Sequence, residues 1–193
     1  KPEEMIKQEL TTFRQTKQLT QDMVFRDPYI LDFLDLPANF SEATLEGAIL
    51  DDLSKFLQEI GSDFCFIARQ KRITIDNEDY YIDLLMYHRG LRRLIAIDLK
   101  LDTFKAAYKG QMELYLRWLD KYERRANEEQ PMGMVLCTGK NKEHIELLEL
   151  GASGIHVTEY LTALPPKDIL EARLNAVIKV ARESYRIDSK DGS

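Results

Sequence analysis

DFCFIARQKRITIDNEDYYIDLLMYHRGLRRLIAIDLKL, residues 63–101, decides how this chain is read. Three runs of β-type residues follow one another in it. DFCFIAR (63–69) continues unevenly through Ile73 and Ile75, YYIDLLMYH covers 80–88, and LIAIDLKL covers 94–101. The breaks between them, Asp76-Asn77-Glu78-Asp79 and Arg89-Gly90, have the composition of turns. The stretch predicts three consecutive strands. Two acids interrupt the apolar runs: Asp83 lies between Ile82 and Leu84, and Asp98 between Ile97 and Leu99. Burying an unpaired carboxylate is costly, so something must compensate each of them, and a divalent cation does so directly. The period of two along a strand puts Leu94, Ala96, Asp98 and Lys100 on one face. Asp83 joins that site if its strand pairs alongside.

Working outward, the pattern becomes helical on both sides. Residues 1–40 alternate short helical and turn signals, with breakers at Asp27-Pro28 and Pro37, and read as a lead-in segment. Ser41 is a plausible N-cap, and Leu45, Ile49, Leu53, Phe56, Leu57 and Ile60 follow helical spacing as far as Gly61. Downstream, Phe104, Tyr108, Met112, Tyr115, Leu119 and Tyr122 mark a second long helix. GMVLC (133–137) reads as a short buried strand. A helix over 141–150, a strand near 155–160 and a helix over roughly 166–186 complete the order. The order predicts an α/β sandwich on a mixed sheet, its domain running over residues 41–193.

Composition limits the classes. At 193 residues the chain fits one domain, and 44% hydrophobic with 31% charged residues is ordinary globular usage. No apolar run approaches the roughly 20 residues that span a bilayer, so no membrane partner is expected, and the start lacks a secretory signal. The chain opens at Lys1 without Met, as a processed product or an expressed fragment does. Cys65 and Cys137 both sit in apolar runs and read as buried hydrophobes of a reducing compartment, which makes a cytoplasmic location the expectation. His88, His144 and His156 fall in separate elements without ligand spacing, which argues against zinc.

The net charge of −6 is unevenly spread. Residues 69–109 carry 9 basic and 6 acidic side chains, whereas residues 1–68 carry 6 and 13. Within the basic stretch, Arg69, Lys71, Arg72, Arg89, Arg92 and Arg93 are candidate phosphate contacts; scattered cations on a solvated sheet edge are the plainer reading.

Two hard oxygen ligands and one ammonium suit phosphodiester hydrolysis. The carboxylates hold Mg²⁺ (or Mn²⁺), and the lysine orients or deprotonates the attacking water, or stabilises developing charge. A lone acid-x-Lys triplet reads equally well as a partly exposed salt bridge; the second acid in a second apolar strand makes it a candidate site.

At residues 69–101, followed by FKAAYKGQMELYL (104–116), the sequence resembles the PD-(D/E)XK nuclease superfamily, and most closely the C-terminal nuclease domain of YhcG-type bacterial proteins. The resemblance implies a restriction-endonuclease-like fold with an αβββαβ core and Mg²⁺-dependent cleavage of DNA. It puts Asp83 at the first acid of the family motif, although Ile82 stands where the naming Pro would be, and Asp98-Leu99-Lys100 at the acid-x-Lys element. Asp98 stands where relatives usually show Glu, one methylene longer. The resemblance further implies Glu46 on the first helix, Gln111 on the second, Gln70 on the first strand, and the backbone carbonyl of Leu99 as a third metal ligand. Cleavage of both strands would favour a homodimer. The rival reading is a non-catalytic nucleic-acid-binding or assembly module that retains the fold. Intact Asp83, Asp98 and Lys100 favour the enzyme. If the registers are right, the carboxylates of Asp83 and Asp98 come within reach of one ion; opposite faces of the sheet would exclude the site.

Overall fold

The computed structural model describes residues 24–163 and, beyond them, residues 168, 171, 172 and 175. The chain divides into two compact units, Lys1–Thr162 and Ala163–Ser193. In the second unit the four described positions after Ala163 are helical; the rest of the helix expected over 166–186 and most of the lead-in lie outside the described residues.

The three-strand meander forms as the sequence implies. β2 (Phe64–Ile75) pairs antiparallel with β3 (Glu78–His88), and β3 with β4 (Arg93–Leu99). Asp76 and Asn77 close the β2–β3 hairpin at φ 50° and 66°, the left-handed pair of a two-residue turn whose twist matches that of the strands. From β4 the sheet continues in parallel through β5 (Met132–Cys137) and β6 (Ile155–Leu161) to β1 (Tyr29–Ile30), giving the order β1-β6-β5-β4-β3-β2. β5 is buried along its whole length, as a parallel central strand covered on both faces must be. The sheet is mixed, and αβββαβ is the order of its core elements.

Helices cover both faces. On one side α1 (Glu42–Asp51) and α2 (Leu53–Ile60) bury Leu45, Ile49, Phe56 and Ile60 against Leu84, Met86, Ile95 and Ile97. On the other, α3 (Ala106–Tyr122) buries Met112, Tyr115, Leu116 and Leu119 against Ile82, Leu85, Ala96 and Val135. A short helix α4 (Lys142–Leu147) and a 3-10 turn (Leu150–Ser153) lead into β6.

Three expectations are corrected. The single helix expected from Ser41 to Gly61 is two helices, broken at Asp52 with φ −121° and ψ 44°. A short carboxylate competes with helical backbone geometry, and the break lets α1 contact β4 while α2 contacts β1 and β2. Tyr29 and Leu31, within the stretch read as a lead-in, are fully buried in the first core, and Tyr29–Ile30 is an edge strand; at two residues it is too short to show a period of two. Cys65 is exposed on the outer strand β2, whereas Cys137 is buried and its thiol is pushed up to about 11 by that burial.

Helix α3 packs its Met112 directly over Gly133 of β5. A methyl group there would stand 2.5 Å from Met112 Cγ and 2.6 Å from its sulfur, with Met112 itself fully buried. Gly133→Ala is expected to destabilise the fold by about 1–3 kcal/mol, read by chemical denaturation. Combined with Met112→Ala it should cost less than the sum of the two single changes, because the second removes the clash created by the first.

Candidate active site

β3 and β4 are paired as far as Leu84 opposite Ile97, and there the ladder ends. One step further, Asp83 and Asp98 are opposite each other across the opening. The Leu99 N–H, no longer served by the neighbouring strand, donates to Asp83 Oδ2 at 2.8 Å. Asp83 Oδ1 accepts from the Gln70 amide at 3.0 Å, and the same amide donates to Glu46 Oε2 on α1. Gln70 therefore couples the first-helix acid to the strand acid.

Local backbone makes this convergence. Gln70 has φ 43°, a left-handed conformation that costs a side-chain-bearing residue about 1 kcal/mol or more. Strict alternation fails at that level of the hairpin. Arg69 and Gln70, though consecutive, both line a cleft with Glu46 and Asp83. On β3, Leu84 joins the first core while Ile82 and Leu85 join the second. The cleft has a volume of about 740 Å³, room for a nucleotide unit, and Ser41, Glu42 and Leu101 complete its wall.

Asp98 and Lys100 approach the same opening. Their charged ends stand 3.2 Å apart, with only 5% and 13% of the respective side chains exposed. The ammonium is the ion-pair partner of the buried Oδ2 of Asp98. Burial, and then the adjoining Asp83 carboxyl group, push Asp98 up to about 7, with Lys100 pulling the other way. Burial lowers the Lys100 ammonium, but Asp98, Glu42 and Asp83 outweigh it and the net direction is upward. Lys100 Nζ lies 4.9 Å from the centre of the Tyr108 ring, and the Lys100 carbonyl accepts from the Tyr160 hydroxyl at 3.0 Å.

Helix α3 brings Tyr108 and Tyr115 near Lys100 and the two acids. Tyr115 is buried and pushed up to about 12, first by burial and then by the nearby charges of Asp98 and Asp83, with a hydrogen bond from Gln111 pulling back. Gln111 thus reaches the site through the Tyr115 hydroxyl. Helical spacing alone does not set Tyr108 and Tyr115 apart from core; the signal that does is Gln111, a polar residue on the same helical stripe. Tyr108 also donates to both oxygens of Asp102, at 2.7 and 2.8 Å, beside Lys105.

The six basic candidates do not form one surface. Arg69 alone among them lines the cleft. Lys71 is paired with Glu123 of α3 at 2.8 Å, Arg72 with Asp79 at 3.0 Å, and Arg92 with Glu129 at 3.0 Å. Arg93 is half-buried and opposite His88, and Arg89 is in the β3–β4 turn. Arg72 is opposite Tyr81, eight residues before Arg89 along β3, which at strand rise is roughly 25 Å. Closeness in sequence was lost because the two ends of a long hairpin are far apart.

The donor set fits a hard divalent cation. Two carboxyl groups face each other, one of them buried and only partly offset by Lys100, an arrangement that a divalent cation would compensate further. Among the described residues no group of three His, Cys, Asp or Glu side chains could hold a metal. That leaves two acids, as Mg²⁺ uses when main-chain oxygen, water and phosphate complete its shell.

A family profile described as "YhcG PDDEXK nuclease domain" matches residues 22–175. The chain belongs to that family. It is 37% identical over 163 residues to "Putative nuclease YhcG" of Escherichia coli (strain K12), a match covering 83% of this chain and 43% of that protein. The chain therefore spans less than half the length of that relative. Among solved structures, a repair endonuclease from Pyrococcus abyssi matches at 21% identity, with 67% of this chain and 50% of that one covered at a TM-score of 0.43. EndoMS in a complex titled dsDNA2 matches at 18% identity, 70% and 49% coverage, and a TM-score of 0.47.

In this YhcG-type domain, the raised Asp98 carboxyl links protonation to stability. The ordinary value is 3.8 and the folded value about 7, so the folded state holds the extra proton between them. Without divalent metal, the contribution of Asp98 to stability is fully present below about 4 and is lost as pH rises through about 7. Asp98→Asn is expected to raise the melting temperature of metal-free protein at pH 8 and to flatten this part of its pH profile. Unchanged melting at pH 8 would mean that the carboxylate is already compensated within the protein.

Proposed function

We propose that this domain is a divalent-metal-dependent nuclease that hydrolyses DNA phosphodiester bonds at the opening between β3 and β4. The observation that carries the reading is the meeting of two carboxyl groups, Asp83 and the buried Asp98, with a nearly buried ammonium 3.2 Å from Asp98 Oδ2. DNA is the substrate that the family resemblance implies. Asp83, Asp98 and the Leu99 carbonyl would hold Mg²⁺ or Mn²⁺. The Leu99 N–H already points to Asp83, and in an extended residue the carbonyl points to the same side. When bound, the ion activates water and offsets charge on the phosphate.

The protein's own groups divide the remaining work. Lys100, held as an ammonium by the surrounding carboxylates, suits stabilisation of charge on the reacting phosphate and orientation of water, rather than proton abstraction. Asp98 and the Tyr108 ring limit where the ammonium can go, and Tyr160 holds the Lys100 backbone carbonyl. Glu46 acts at one remove, through Gln70, keeping Asp83 turned toward the opening. Gln111 and Tyr115 brace the other side.

Lys100→Ala is expected to lower cleavage about 10²–10³-fold while leaving most DNA affinity, because one cation acts chiefly on the transition state. Asp83→Asn should also abolish cleavage but tighten DNA binding, since it removes a negative charge beside phosphate. A panel of DNA structures with Mg²⁺ or Mn²⁺ tests both; binding without cleavage by any of the three proteins would favour the non-catalytic module.

Metal and proton compete for Asp98, so Mg²⁺ affinity measured by calorimetry should rise with pH up to and through about 7 and then level off. Asp98→Asn should remove both the binding and the pH dependence.

A further inference from the structure

The β2–β3 hairpin outruns β4. Past Leu84 the two strands continue as a ribbon to the turn at Asp76-Asn77. One face of this ribbon is occupied: Ile73, Ile82 and Tyr80 pack toward α3, with Tyr80 edge-on to Tyr115. The other face is the one that runs into the cleft. Tyr81 is two residues from Asp83 on the same side of β3, about 7 Å along the strand. Opposite it on β2 is Arg72, and Arg69 follows toward the cleft.

Tyr81 is 47% exposed. The other large exposed apolar residues among those described lie elsewhere: Ile67 borders the opposite face, Tyr122 ends α3, and Leu147 is on α4. An aromatic ring with Arg72 opposite it, and Arg69 three residues further along β2 where it is 3.9 Å from Glu46, beside an opening that contains two acids and a lysine, has the chemistry of a nucleotide contact. Charge limits its length. The root of the ribbon carries Arg69 and Arg72, whereas the tip carries Asp76, Glu78 and Asp79 and would repel a strand running along it. The root can serve one or two phosphates, not the row that a bound duplex presents. Arg72 is paired with Asp79, but that pair is largely exposed and is readily exchanged for a phosphate.

We propose that the root of the hairpin holds an unpaired segment of the substrate strand, with a base stacked on Tyr81 and its phosphates on Arg72 and Arg69. The ring gains from a base only where the base face is free, so the site favours DNA whose strand leaves the duplex next to the bond cut. This assignment rests on the nuclease reading for the cutting step but not for the binding step, and the two can fail separately.

The test compares two DNA oligonucleotide substrates, one fully paired and one with an unpaired flank beside the same duplex. Cleavage in Mg²⁺ and anisotropy binding without metal are both measured, for the 193-residue chain and for Tyr81→Ala, Tyr81→Phe and Arg72→Gln. Wild type should prefer the unpaired flank in both readouts. Tyr81→Ala should reduce that preference about tenfold, the size of one base–aromatic stack. Tyr81→Phe should retain it, and Arg72→Gln should reduce it and lessen the salt dependence of binding. Cleavage with no preference for the flank, or a Tyr81→Ala preference equal to wild type, overturns the proposal and leaves the nuclease reading standing. Tyr81-dependent binding without cleavage by wild type supports the contact and overturns the nuclease reading. Absence of binding to the unpaired flank overturns the contact.

Discussion

The end of the β3–β4 ladder is the constraint from which the site follows. A backbone N–H left by a departing strand must find another acceptor, and Leu99 finds it in Asp83. That bond turns the Asp83 carboxylate into the gap, where Asp98 arrives from the adjacent strand. Had the ladder run on, cross-strand pairing would occupy the Leu99 N–H, and Asp83 would have no backbone donor to turn toward. The acids are therefore brought together by the same geometry that separates their strands.

Around this gap the protein arranges charge asymmetrically. Asp83 receives two donors, Leu99 N–H and the Gln70 amide. Asp98 is buried beside a second carboxyl group, so its charge is the expensive one. Two identical functional groups a few ångströms apart are made different by their neighbours. Lys100 lessens the cost at Asp98 without cancelling it, because its charge is shared with Glu42 and Asp83. Tyr108 and Tyr115 of α3 stand on that side, Tyr108 at 4.9 Å from Lys100 Nζ and Tyr115 buried.

Much of this was legible in the sequence. The meander showed in the turn residues, and the paired acids showed as exceptions within Ile- and Leu-rich runs. The helix break at Asp52 did not show, because Leu53, Phe56 and Ile60 continue the helical period across it and only tertiary packing selects the bend. β1 was invisible because two residues carry no period. The family resemblance supplied Glu46, Gln70 and Gln111, but not that Glu46 meets Asp83 through Gln70, nor that Gln111 meets the site through Tyr115. The basic stretch is contiguous only along the chain: the hairpin distributes its residues over two ends and both faces, and Lys71, Arg72 and Arg92 are in ion pairs.

The left-handed residue at Gln70 has a consequence for solubility. β2 is the outermost strand on its side of the sheet, twelve residues long, and an outer strand of that length can recruit strands from other molecules. Its edge is interrupted twice, by the register shift between Phe66 and Ala68 and by Gln70, and it carries Arg69, Lys71 and Arg72. Neither interruption leaves a long straight run of free N–H and C=O groups, and the arginines and lysine repel a like copy. The distortion that aims a side chain at the opening also blunts the edge most exposed to aggregation.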